Sequence, residues 1–487
     1  MSSTTNPTTT PPPKFYALID YEDPYVQPLL LSALEAHLSP DSYALIPSLS
    51  DLPTTSSPVL QIQQYESLDF THQLSHPSTS LSNAYVIRKA LIRKHYLSTT
   101  IAHWLVKYPS SILGKHVKPS VEFEVDYAEF LDDALVEAWE LKESWARGEQ
   151  EGGQKEWWIL KPGMSERGQG IRLFSTEQEL VEIFEEWDPE SSDDEEEEDA
   201  RSDHDDNQDD EKGIITSQLR HFIAQPYIHP PLLLSPPSSP SSSSPSELRK
   251  FHIRTYILAT GALKIYIYRP MLALFAARPY TSPSSSSSST STFSTEAMQS
   301  HLTNTCLQDA RTRDGSVGLF WSLPSTIPSQ PSSFSSSSST TTGTESPDEK
   351  DTTTYVDVNV KEGETWKEQV FQQICAITAE TFEAAARGMS IHFQPLPNSF
   401  EVFGLDFMVS LEKTEGQGEY EVRTWLLEVN AFPDFRQTGE ELKGLVGGLF
   451  KGVVEKAVRP FFFGEEGEGD GGDGDMVKVL DIDLGRR

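Results

Sequence analysis

Cysteine is almost missing from the 487 residues: Cys306 and Cys375 are the only two. Two thiols cannot build a disulfide framework, and nothing around them has metal-ligand spacing, so they are expected to be reduced residues of an intracellular, soluble protein. Long hydrophobic runs are missing too. No stretch reaches the roughly 18 apolar residues of a membrane helix, and the opening MSSTTNPTTTPPP lacks the apolar segment of a secretory signal. Positive charge is short, 39 Lys and Arg against 74 Asp and Glu, for a formal net charge of −35. Such a balance gives no strong signal for nucleic-acid binding. The imbalance is local, however: fifteen acids against Arg201 between Asp188 and Glu211, and six more between Gly464 and Asp475, supply −20 of the −35. Acidic side chains are in turn absent from Thr71 to Val121, where Arg88, Lys89, Arg93, Lys94, Lys107, Lys115 and Lys118 fall. That stretch offers a local basic surface to an acidic partner.

Sequence complexity is low in several places. Met1–Pro13 and the runs SPPSSPSSSSPS, TSPSSSSSSTSTFST and PSSFSSSSSTTTGTESPDEKDTTT have too little apolar surface to offset the entropy of ordering them. Apolar, strand-like segments resume beyond each internal run. This predicts a disordered tail over 1–13 and disordered loop insertions near 188–213, 235–246, 281–295 and 323–354. Between them KFYALIDYED reads as a strand and PYVQPLLLSALEAHL as a helix. A long basic helix is expected from a cap at Ser82 or Asn83 to Pro109, and a second amphipathic helix over DYAEFLDDALVEAWELKESWARG, stopped by Gly148. Strands follow at EWWILKPG, GQGIRLF and RHFIAQPYI, with a helix at TEQELVEIFEEW. RKFHIRTYILAT and ALKIYIYRPMLAL read as a long hairpin about Gly261; the helix TWKEQVFQQICAITAETFEAAARG and the strands FEVFGLDFMVS and TWLLEVNAF complete the chain. The class is α+β. The expected division is an N-terminal domain at 14–120, a larger domain at 121–463 and an acidic, glycine-rich segment at 464–487.

Three short motifs carry chemistry. In TWLLEVNAFPDF a strand turns Glu428 and Asn430 to one face and Leu427 and Val429 to the other; a carboxylate beside an amide oxygen suits a hard cation such as Mg²⁺, or simply a wet edge strand. FGLDFMV places Asp406 with Gly404 and Met408, and if the two strands pair, Asp406, Glu428 and Asn430 converge on one ion. LKPGMSERGQGI sets Lys161 at a strand end before Gly163, Gly168 and Gly170, which fits either a phosphate-covering loop or a glycine-rich hairpin. RKFHIRTYIL alternates Lys250, His252 and Arg254 against Phe251, Ile253 and Thr255, a positive face for anions or for solvent, and Arg269 ends the next strand.

With WWILKPGMSERGQGI, FIAQPYIHPPLLL, RKFHIRTYIL, KIYIYRPMLALF, HLTNTCLQ, FEVFGLDFMVS and WLLEVNAFP in this order, the chain resembles the tubulin–tyrosine ligase family of ATP-grasp enzymes, particularly its fungal, processing-body-associated branch. The resemblance implies ATP clamped between two α+β subdomains with a smaller N-terminal α/β domain in front. It implies that Lys161 and Lys250 contact ATP phosphates and that Gln225, Pro226, Tyr227 and Ile228 form the adenine hinge. His252, His301, Thr303 and Asn304 would line the nucleotide site, Lys89 would approach from the N-terminal domain, and Asp406, Glu428 and Asn430 would hold Mg²⁺. Arg254 and Arg269, with Lys250 and Glu428, would serve the reaction. That reaction is phosphorylation of a peptide carboxylate by ATP and attack on the acyl phosphate by an amino acid, in the type enzyme tyrosine joining the acidic C-terminal tail of α-tubulin. The expected setting is the cytoplasm, at processing bodies or microtubules. Two positions depart from the family pattern: Pro226 stands where a Lys is common and His252 where an Asp is. Both fall on the nucleotide side. A related ligase with another amino acid or acceptor, and a nucleotide-binding scaffold without turnover, are the other readings.

Overall fold

The structure, a computed structural model, describes residues 13–150, 153, 155–163, 169–187, 220–237, 247–283, 295–303, 315–330, 355–360, 363–414, 419–464 and 474–485. Most of the expected tail and insertions, and with them Cys306 and Asn304, lie outside these residues. The continuous apolar run in FYALID suits an inner strand of a parallel sheet, and β1 (Phe15–Asp20) lies inside one with β2 (Tyr43–Leu45), β3 (Val59–Gln63) and β4 (Ser80–Ser82), in the order β2-β1-β3-β4. Helix α1 (Val26–His37) follows β1 and buries Leu30, Ala33 and Leu34.

The expected single basic helix is two. Ser82 belongs to β4, and the Asn83 side chain is tied to the Gln63 backbone, accepting from its amide at 3.1 Å and donating to its carbonyl at 3.0 Å. Helix α2 (Lys89–Ile92) is therefore delayed, and extended backbone at Arg93 separates it from α3 (Lys94–Lys107). The break lets Ala90 and Leu91 enter the main core while Arg88, Arg93 and Lys94 line a cavity.

The second sheet, β5 (Val121–Glu124), β6 (Trp158–Pro162), β7 (Arg172–Phe174) and β8 (His221–Pro226), runs antiparallel in the order β5-β8-β6-β7. The segment expected as one helix before it is broken into a 3₁₀ turn at Ala128–Phe130, a short helix at Leu131–Ala134 and α4 (Trp139–Glu149), which contains Gly148 rather than stopping there. Leu131, Leu135, Leu141 and Trp145 still reach one core, where they meet Leu180, Phe184 and Trp187 of α5 (Glu177–Trp187).

The third sheet is built on β10 (Arg249–Thr260), with a two-residue β9 (Leu233–Leu234) beside its start. One edge of β10 takes β11 (Lys264–Tyr268) and then β12 (Leu272–Phe275), followed outward by β13 (Val317–Leu319). The hairpin expected here is thus interrupted at Arg269–Pro270, where proline has no amide for the ladder. A small ladder joins β14 (Ile327–Pro328) to β15 (Tyr355–Val356). The other edge of β10 takes β16 (Phe400–Lys413), which pairs in turn with β17 (Tyr420–Ala431). The stretch expected only as acidic and glycine-rich contains an alternating strand, β18 (Met476–Asp481), paired with β11.

Each face of β10 has a separate task. Ile253, Ile257 and Ala259 pack under α6 (Trp366–Gly388), a helix capped by Thr365, whose hydroxyl accepts from Glu368 N at 3.2 Å. On the other face Tyr256 and Leu258 join Leu445 and Leu449 of α7 (Lys443–Val453), against which α1 also packs. The near end of that second face carries Lys250, His252 and Arg254. It opens into the cavity bounded by the second sheet and by the loops of the first.

Candidate active site

The cavity measures about 590 Å³, a size suited to a small ligand. Lys250, His252 and Arg254 all enter it from β10 and are all buried. The solvent-facing hairpin is thereby excluded for these residues. Opposite them, Lys161 at the end of β6 donates to Gln225 Oε1 at 2.8 Å. The Gln225 amide is fixed in turn by the Lys118 carbonyl at 3.3 Å and Ser120 Oγ at 2.7 Å. Lys250 Nζ donates to the Tyr227 hydroxyl at 2.9 Å, which lies 3.0 Å from His301 Nδ1, and His252 Nδ1 lies 2.6 Å from Thr303 Oγ1. Pro226 and Ile228 complete this wall. Burial pushes Lys161 down to about 8, and burial together with Lys161 pushes Lys250 down to about 7. Both ammonium groups are thus easier to deprotonate than in water, and a bound anion would favour their charged forms again. Burial and then Arg254 press His252 down to about 3, so it is neutral at physiological pH.

The far end is acidic. Arg254 grips Asp406 with two parallel hydrogen bonds, Nε to Oδ1 at 2.5 Å and Nη2 to Oδ2 at 2.9 Å. Antiparallel register puts Arg254 opposite Asp406 and Asp406 opposite Glu428. Gly404 precedes Asp406 by two residues on the same face, and a Cβ there would stand 3.3 Å from Arg254 Cδ and 3.0 Å from Pro433 Cβ. The arginine can lie across β16 because that position is glycine. Between Asp406 and Phe407 the register slips, so that Phe407 faces Leu426 and Leu427 is the extra residue of a bulge. Leu427 consequently packs with Ile228, Met408 and Trp425 beside the cavity rather than in the other layer, where Val429 does lie.

Asn430 bridges the two carboxylates, its Nδ2 donating to Glu428 Oε1 at 3.1 Å and Asp406 Oδ2 at 3.3 Å. Burial raises Asp406 to about 7, with Glu428 adding to the rise and Arg254 opposing it. Burial also acts to raise Glu428, but Lys94, whose Nζ is 3.7 Å away, with Asn430 and Lys161, holds it down to about 2. Two carboxylates joined by the positive end of an amide dipole fit a divalent cation, for which Asn430 would turn its Oδ1 inward. A pair of carboxylates with substrate phosphates is the ordinary environment of Mg²⁺. Among the described residues no group of three or more His, Cys, Asp or Glu side chains could hold a metal, so a cation here depends on the amide and on ligand oxygens.

Two expected residues do not join the site. Arg269 follows the break in the β10 hairpin and points to the α6 face, where Nη2 meets Glu368 Oε2 at 2.8 Å and the guanidinium covers Trp321. Lys89 is exposed and does not line the cavity. Lys94 occupies the place expected of it, beside Glu428, and Arg88 lines the outer wall with Nε 2.9 Å from Glu401 Oε1. Both belong to the acid-free run, but only the helix break at Arg93 selects them.

Replacing Arg254 by Met is expected to cost about 3–5 kcal/mol, because it leaves Asp406 buried and unpaired. Arg254→Met combined with Asp406→Leu should recover most of that loss in urea unfolding. A single-variant loss below about 1 kcal/mol would show that the pair is not buried as described.

The tubulin-tyrosine ligase family model matches residues 84–325 and 332–465. A Schizosaccharomyces pombe protein named "Probable tubulin–tyrosine ligase" is 38% identical over 448 residues, covering 91% of each chain. A Saccharomyces cerevisiae protein, "Probable tubulin–tyrosine ligase PBY1", is 39% identical over 427 residues, covering 87% of this chain and 49% of that one. The crystal structure of the C-terminal domain of K. lactis Pby1, described as an ATP-grasp enzyme interacting with the mRNA decapping enzyme Dcp2, superposes with a TM-score of 0.61 at 33% identity over 96% of this chain and 99% of that domain. With its three larger sheets and their shared cavity, the chain has the ATP-grasp fold and belongs to the tubulin–tyrosine ligase family.

Proposed function

We propose that the protein is an ATP-dependent carboxylate–amine ligase that adds an amino acid, in the simplest case tyrosine, to the C-terminal carboxylate of an acidic tail such as that of α-tubulin. The observation that carries this reading is the meeting of Lys161, Lys250 and Arg254 with Asp406, Glu428 and Asn430 in one cavity. A site with cations for phosphates at one end and a cation-binding pair of carboxylates at the other matches the charge of a metal–nucleotide. Gln225 to Ile228 would hold the base, with His301 and Thr303 beside it, and Lys161 and Lys250 would take the phosphates. Asp406, Glu428 and Asn430 would hold Mg²⁺, which when bound would neutralise phosphate oxygens. Arg254, fixed by Asp406, would stabilise charge on the phosphoryl group as it passes to the acceptor carboxylate. Attack by the amine then expels phosphate and forms the amide. Lys94, beside Glu428 at the cavity wall, is better placed than Lys89 to help on the phosphate side.

The division into an N-terminal unit over 14–120 and a ligase unit over 121–463 fits this use, the first presenting its acid-free surface to the tail. No helix among the described residues is long and apolar enough to cross a membrane. The link between K. lactis Pby1 and Dcp2 supports a cytoplasmic setting near the mRNA decapping machinery. It also supports a second reading, in which the acceptor is not tubulin or the domain binds ATP as a scaffold.

ADP release with Mg²⁺–ATP, an α-tubulin C-terminal peptide and single amino acids distinguishes these readings. Release with tyrosine alone, abolished by Glu428→Gln, is the expected result; release with another amino acid changes the substrate, and ATP binding without release under all conditions favours the scaffold. ATP binding at pH 8 should take up protons, because burial and Lys161 hold Lys250 at about 7 and phosphate would raise it again. Calorimetry in buffers of different ionisation enthalpy reads this uptake, and heats independent of buffer would contradict it. Since neutral His252 and Pro226 replace the family's charged residues, the double change Pro226→Lys, His252→Asp should alter ATP affinity by several-fold. An unchanged titration would mean that neither position contributes to holding the nucleotide.

A further inference from the structure

Four of the ten large apolar residues that are exposed among the described residues fall in one short segment of the second sheet's cover: Tyr127 at 52%, Phe130 at 47%, Val136 at 54% and Trp139 at 65%. The segment has already met the demand of its own core, since Leu131, Leu135, Ala138 and Leu141 are buried there. The outward residues are surplus to folding. Tyr127 and Phe130 meet edge to face, with centroids 6.2 Å apart, and with Trp139 they make three exposed rings in a stretch of thirteen residues, the kind of exposed apolar side chains that mark an interaction site.

The charge around them selects the partner. From Asp126 to Glu143 there are seven acids and only Lys142 of the opposite sign. Asp126 pairs with Arg220 at 3.1 Å and Glu143 with Arg147 at 3.9 Å, whereas Glu129 and Glu137 are exposed with no ion pair among the described residues. Favourable helix-start positions account for Asp132, Asp133 and Glu140. They do not account for Glu129, Glu137 or the outward rings. The acidic run Asp188–Glu211 has the same sign as this surface and would be repelled by it.

We infer that this surface docks a basic segment of a partner protein, rich in Lys and Arg and carrying aromatic or aliphatic anchors between them. No described residue from Val121 to Glu156 lines the active-site cavity, so such a partner leaves nucleotide binding untouched.

The test is fluorescence polarisation with a library of peptides that place lysines and arginines around a pair of apolar residues, alongside counterparts with glutamate for each base. Basic members should bind, more weakly as salt rises. Trp139→Ser and Phe130→Ser, both at exposed positions, should each weaken binding at least about fivefold, and Glu129→Lys with Glu137→Lys should abolish it, while ATP titrations stay as in wild type. Failure of every basic peptide to bind, or equal binding by the ring variants, overturns the inference. Concentration-dependent self-association that Trp139→Ser removes would overturn it too, by showing that the patch joins two copies of this chain.

Discussion

The paired hydrogen bonds between Arg254 and Asp406 fix the centre of this molecule. They tie β10 to β16 at a place where the sheet carries charge instead of apolar side chains, and both partners are buried. A buried pair costs desolvation that its attraction only partly returns, so as a stabilising device it would be a poor choice. Its geometry has a different consequence: it holds an arginine fork and a carboxylate in fixed relation, with Glu428 and Asn430 one strand away. Gly404 is part of the same constraint, because a side chain there would press on Pro433 and on the arginine, whose Cδ would lie 3.3 Å from its Cβ.

The rest of the architecture serves to leave that centre uncovered. Helix α6 seals one face of the large sheet and α7 seals the far half of the other. The remaining half-face can carry Lys250, His252 and Arg254 because the second sheet stands over it at a distance and contributes Lys161 and Gln225. Burial without full packing is what lowers the two lysines and raises Asp406. A bound polyphosphate with its cation would relieve both perturbations together.

Much of this was legible in the sequence, because β-strand alternation is a short-range property. The faces of RKFHIRTYIL and of FGLDFMV followed from period two, and the order of the motifs pointed to the family; the pairing of FGLDFMV with LLEVN entered only as a condition, which the register of β16 and β17 meets. The failures arose where tertiary contacts override local pattern. Nothing in LLEVN marks Leu427 as the bulge that turns it beside the cavity. The basic helix had unbroken periodicity, yet the ties at Asn83 and the extended Arg93 bring Arg88 and Lys94 to the site and leave Lys89 in solvent. Arg269 lost its expected place because the chain breaks at Pro270 and sends it to the α6 face. β18 was hidden by the glycine-rich acidic run before it, although MVKVLD alternates.

The most direct test of the central claim is a crystal structure with Mg²⁺ and a non-hydrolysable ATP analogue. The account requires the ion between Asp406, Glu428 and a rotated Asn430, the phosphates on Lys161 and Lys250, and Arg254 still held by Asp406. A nucleotide bound elsewhere, or bound here with its metal away from Glu428 and Asn430, would contradict it.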